Sequence, residues 1–253
     1  MKPLRIYLSG ASGLGKTTLA KAVARELNIP YVNTSASNIW KDFGVTSHQD
    51  AIQKSKENPS WAYEYQKAIL ENRKQVLSQT PSFITDRSLI DNLVYFMDSN
   101  HTPEDYEKYC EQVQEMLNED LQNYSVVFIR LIRPFSWQTE VNGKRVSNED
   151  YQIKSNLLFK GFDFRYFMAP GSIKSYYSQD RLVLTMGEIN FIGHRLSPTQ
   201  PMIYDAIITT RDFKQRILTV LQILVNIGFL DESDFLNISE RVTYKSYNLE
   251  DYR

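Results

Sequence analysis

A glycine-rich turn set between an apolar strand and an amphipathic helix constrains this chain more than any other feature. Gly10-Ala11-Ser12-Gly13-Leu14-Gly15-Lys16-Thr17-Thr18 follows the strand-like run Leu4-Arg5-Ile6-Tyr7-Leu8-Ser9. After it comes a helical pattern with an apolar face at Leu19, Val23 and Leu27. The turn fits G-x-x-x-x-G-K-S/T without a mismatch, and strand, loop and helix are the three parts that pattern needs. Backbone N–H groups that converge on phosphate oxygens require a tightly curled chain, which the glycines permit. The free N–H groups and positive dipole end of the following helix add to the anion site. Gly10, Ser12, Gly13, Gly15, Lys16, Thr17 and Thr18 are therefore the expected donor site for a nucleoside triphosphate such as ATP. Lys16 would reach the β- and γ-phosphates, and the Thr17 hydroxyl would hold Mg²⁺.

A second constellation suggests what the phosphate is for. Ser82-Phe83-Ile84-Thr85 reads as a strand that ends in Asp86-Arg87-Ser88. A motor ATPase usually ends such a strand in Asp-Glu, and a GTPase carries an Asn-Lys-x-Asp motif that does not occur here. An Asp-Arg pair offers a carboxylate to orient an acceptor hydroxyl, or the metal's water shell, and a guanidinium to hold an anionic acceptor. The third piece is a long polar loop, about residues 134–150, with an Asn142-Gly143 turn followed by Lys144-Arg145. It reads as a lid whose Arg145 balances charge during transfer. The expected catalytic set is Lys16, Asp86, Arg87 and Arg145, with Thr17 and Asp86 at the metal.

Strands and helices alternate from the first residues onward, which implies an α/β fold with a mostly parallel sheet and helices on both faces. The expected strands are Leu4–Ser9, Ile29–Asn33, Ser82–Asp86, Ser125–Leu131, Arg181–Met186 and Tyr204–Thr209. Ligands of such sheets bind beyond the carboxyl ends of the strands, so the loop and Asp86 should share a cleft.

With these residues in view, the chain resembles the P-loop nucleoside and nucleotide kinases, deoxynucleoside and thymidylate kinases among them. The resemblance rests on Gly10–Thr18, Asp86-Arg87-Ser88 and Lys144-Arg145, and spans roughly residues 1–170. It implies a P-loop NTPase fold with a five-stranded, mostly parallel sheet. It also implies ATP- and Mg²⁺-dependent transfer to a nucleoside or nucleoside monophosphate. Asp86-Arg87-Ser88 lies between the two subfamily patterns, Glu before Arg in one and an aromatic residue after Arg in the other. On this reading residues 1–229 are the kinase domain, with an insertion at about 187–202, and 230–253 are a polar tail. Insertion and tail are read as homodimer contacts before parts of a DNA site. Two other functions stand beside this one. One is a kinase of a modified base or end group in DNA; the other is a nucleotide-binding regulatory ATPase with no small-molecule acceptor.

The bulk properties exclude little. A net charge of −1 gives no global basic field for nucleic acid. Cys110 is the one cysteine, no apolar run is long enough for a membrane span, and the first strand starts at once, which together suggest the cytoplasm. His48, His101 and His194 lack metal-ligand spacing and are expected at the surface. Trp40, Phe43, Trp61 and Tyr63 fall where such kinases place an acceptor pocket, although their helical spacing favours core.

Overall fold

The computed structural model describes residues 2–132, 149–162, 182–186, 189–195 and 202–252. Its strands in chain order are β1 (Leu4–Ser9), β2 (Phe83–Thr85), β3 (Ser125–Leu131), β4 (Leu182–Met186), β5 (Ile189–Arg195) and β6 (Met202–Ile208). They form one sheet in the order β2-β1-β3-β6-β5-β4. The first four strands of that order run parallel, while β5 is antiparallel to both β6 and β4.

The helices are α1 (Lys16–Leu27), α2 (His48–Glu57), α3 (Pro59–Ser78), α4 (Leu89–Met97), α5 (Pro103–Asn123), α6 (Glu149–Gly161), α7 (Phe213–Asn226) and α8 (Glu232–Tyr244). Their placement follows from the alternation along the central strands. Ile6 and Leu8 enter a cluster with Leu19 and Val23 of α1, Ile217 and Val220 of α7, and Val242 of α8. Tyr7 enters the opposite cluster with Leu70 and Leu77 of α3, Leu93 of α4 and Val113 of α5. Because successive side chains of a strand face opposite ways, an apolar strand such as β1 requires helices on both sides.

Three expectations change. Among the described residues the sheet has six strands, not five. The sixth comes from the expected insertion, where β5 follows β4 after two intervening residues, too few for a parallel crossover and enough for an antiparallel return. Ile29–Asn33 does not make a full strand; it runs beside β2 through a single bridge, Tyr31 to Ile84. The segment after Leu230, expected as a polar tail, carries α8 and a 3-10 turn at Leu249–Tyr252, whose Val242 and Tyr252 are buried against α1 and α7. Glu26 of α1 ties the same segment down, accepting from Lys245 Nζ at 2.6 Å and Tyr247 OH at 3.1 Å. Among the described residues, no helix is long and apolar enough to cross a membrane.

Candidate active site

Parallel register brings three chain segments to one end of the sheet. Tyr7 pairs with Thr85, and Ser9 with Arg130, so the glycine loop after β1, Asp86 after β2 and the end of β3 lie side by side. A buried hydrogen bond between the Ser9 and Ser88 hydroxyls joins the first two. Gly10, Gly13 and Gly15 all take positive φ, the left-handed region that favours glycine. Gly15 is also the N-cap of α1, and no side chain caps the helix there, so the helix start can face an anionic ligand. Lys16 is buried and reaches across the loop, donating to the carbonyls of Gly10 at 2.6 Å and Ala11 at 2.8 Å.

Thr17 and Asp86 meet directly, with the Thr17 hydroxyl donating to Asp86 Oδ2. The other oxygen, Oδ1, is buried with no hydrogen-bond partner. A hydroxyl beside a carboxylate with an unused oxygen suits a hard divalent cation, which takes oxygen ligands. These two residues therefore fit Mg²⁺ shared with phosphate oxygens. Among the described residues there is no cluster of three or more His, Cys, Asp or Glu that would hold a metal by protein side chains alone. Burial, then the Asp86 charge, pushes the neighbouring Tyr31 hydroxyl well above its usual range.

Arg87 stands at the entrance of α4. Its Nη1 donates to Asp91 Oδ1 at 3.3 Å and to Tyr95 OH at 3.1 Å, one and two helical turns on. Ser88 caps the helix, and its backbone N–H donates to Asp91 Oδ2 at 2.8 Å in a full capping box. Arg73 of α3 comes in behind. It is 3% exposed, and its Nη1 donates to the Ser88 carbonyl and to Asn92 Oδ1, while Nε has no acceptor. Burial lowers its pKa.

These groups line a cleft that opens at the phosphate loop, where Ser12 forms part of the wall. The other walls come from α2 (His48, Ala51, Ile52), α3 (Tyr65, Gln66, Ile69) and α6 (Tyr151). A buried ion pair steadies α6. Arg130 of β3 donates Nε to Asp205 Oδ1 of β6 at 3.0 Å, and Nη1 to the carbonyls of Phe159 and Phe162 at 2.7 and 2.8 Å.

The structure thus brings together Lys16, Thr17, Asp86 and Arg87. Arg145 and almost all of the expected lid lie outside the described residues. Trp40, Phe43 and Trp61 pack in a satellite cluster with Ile39, Val45 and Ile69, and Tyr63 packs on the α4–α5 side; none of the four lines the cleft. The cleft aromatics are instead Tyr65, Tyr95 and Tyr151. His48, expected at the surface, lines the cleft edge-on to Trp40, and burial followed by the Arg87 charge lowers its pKa. Arg73, Gln66 and Asn92 carried no motif. Their one sequence signal is polar residues on helices that are otherwise amphipathic.

A parallel sheet whose first strand runs into such a loop, with a buried lysine and a Thr–Asp contact at the strand ends, defines a P-loop NTPase. More narrowly, the chain belongs to the AAA domain family, whose model matches residues 5–162. Two shikimate kinases of Bacteroides fragilis are each 60% identical to it over 30 residues, 12% of this chain and 17% of theirs. The chain thus matches about a sixth of the length of those relatives. Similar solved structures include the NadR protein in complex with NR, at 14% identity and TM-score 0.46, covering 62% of this chain and 42% of that one. A sugar kinase from a Janibacter species has 16% identity and TM-score 0.36, covering 90% and 97%.

Proposed function

We propose that this chain transfers the γ-phosphoryl group of ATP, with Mg²⁺, to a small acceptor, a nucleoside or nucleoside monophosphate held in the cleft. The observation that carries the reading is the shared wall: Ser12 of the phosphate loop lines the same cleft as Arg73 and Arg87. A switch or motor needs a phosphate site; it has no need of a built second site opening onto it. The short match to shikimate kinases supports transfer chemistry and leaves the acceptor to be read from the cleft.

In this reading Lys16 and the loop amides hold the β- and γ-phosphates. Thr17 and Asp86 hold Mg²⁺, which when bound neutralises charge between the phosphates. Arg87 orients the acceptor's reacting end, and the amides of Gln66 and Asn92 with Arg73 offer hydrogen-bonding groups to its other end. Tyr65 and Ile69 supply apolar surface for a ring. Arg145 balances transition-state charge from the lid. Positioning and electrostatics carry the rate, as in phosphoryl transfer generally.

The test is ADP release with Mg²⁺-ATP over a panel of ribo- and deoxynucleosides, their monophosphates, and single- and double-stranded DNA. Release that rises with one nucleoside or monophosphate, and is abolished in Lys16→Ala, is the expected result. Stimulation by DNA alone, or hydrolysis indifferent to every acceptor, would overturn the reading.

A further inference from the structure

The phosphate loop is gripped from behind by a residue far outside the motif. Arg216, in the first turn of α7, is 7% exposed. Its Nη1 donates to the Leu14 carbonyl at 2.7 Å, and its Nε donates to the Thr210 carbonyl at 2.8 Å. The same Nη1 lies 3.5 Å from where a Cβ on Gly15 would sit. Burial lowers its pKa to about 10, which still leaves it charged at neutral pH.

The peptide joining Leu14 to Gly15 is trans. In a planar trans peptide the C=O and the N–H point in opposite directions. By drawing the Leu14 oxygen toward α7, Arg216 turns the Gly15 N–H away from α7. Gly15, at φ +78°, is free of a Cβ that would oppose this setting. An amide nest binds an anion only when successive N–H groups converge, so fixing one peptide plane fixes part of the site.

We propose that Arg216 is a positioning residue for the donor nucleotide, holding the Leu14–Gly15 peptide so that the Gly15 N–H faces the phosphates. Through Thr210 it links the turn after β6 to the loop after β1. The inference rests on the reading of that loop as the nucleotide site.

Calorimetric titration of ADP into the full chain tests it, with Arg216→Lys and Arg216→Met beside wild type. Loss of a charged hydrogen bond to the loop should weaken ADP binding on the order of 10- to 100-fold in Arg216→Met. Arg216→Lys keeps the charge and one donor, and should fall between the two. In steady state the loss should appear in the KM for ATP, with the KM for the acceptor unmoved, a split that a general loss of stability does not give. If Arg216→Met melts below the assay temperature, Arg216→Lys carries the test alone. Wild-type affinity for ADP in a folded variant overturns the proposal. Failure of wild type itself to bind ADP overturns the nucleotide reading, and this inference with it.

Discussion

At Gly10 the phosphate loop has no room for a side chain. Its φ is +136°, and a Cβ there would lie 2.3 Å from the Leu131 carbonyl oxygen. That oxygen belongs to the backbone of β3, which cannot yield without disturbing the sheet. Gly10→Ala therefore combines a strained dihedral with a clash, and is expected to lose about 2–4 kcal/mol of stability. Urea unfolding measures it; a loss under about 0.5 kcal/mol would mean that the loop relaxes freely. Residues of this kind were legible in the sequence because their chemistry is local. Glycines at fixed offsets, then Lys16 and Thr17, state their geometry in nine consecutive positions. Arg73 was not legible. On α3 it reads as one more solvated cation, and only the arrival of α4, with Ser88 and Asn92, buries it. His48 was missed for the same reason, because its burial depends on a cleft that α2, α3 and α4 make together.

Among the elements, strong periodicity was readable and context was not. The break between α2 and α3 is set by Asn58, whose side chain caps α3 by accepting from the Trp61 N–H at 3.1 Å, and by Pro59 at its first turn. Both signals are visible in the sequence. β5 was hidden, because a strand that pairs antiparallel with both its neighbours, β4 and β6, looks like an inserted loop until those partners are known. The C-terminal helix α8 was hidden by its charge: most of its surface is polar, and Ile238 and Val242 alone form its buried stripe. That stripe gives a sharp contrast. Val242 is fully buried and Leu236 is 63% exposed. Val242→Ala is expected to cost about 1–3 kcal/mol through lost packing against α1 and α7. Leu236→Ala should stay within about 0.5 kcal/mol. Equal effects in denaturant titrations would mean that α8 does not dock on the core as described.

On the scale of the whole molecule, the sheet separates two apolar clusters and gathers the chemistry at one end. The phosphate loop packs on the cluster of α1, α7 and α8 through Ala11 and Leu14, and the cleft lies among α2, α3, α4 and α6. β1 belongs to both, since Ile6 and Leu8 face one and Tyr7 the other. A perturbation at the phosphate loop should therefore be felt by the entire fold. A ligand that binds only the native state adds RT ln(1 + [L]/Kd), about 2.7 kcal/mol at a hundredfold excess over Kd. For a chain of this size that corresponds to a rise in melting midpoint of roughly 5–10 °C. Thermal melts followed by far-ultraviolet dichroism, with and without ADP at that excess, are expected to show one transition that moves as a unit. Two transitions, of which ADP moves only one, would mean that the sheet does not couple its two faces. The C-terminal segment makes the single transition the stronger expectation. Its Tyr252 ring lies 4.3 Å from the Arg25 guanidinium, and its Lys245 holds Glu26. Both partners sit on α1, the helix that Gly15 and Lys16 begin, so unfolding the end of the chain exposes the helix that carries the phosphate site.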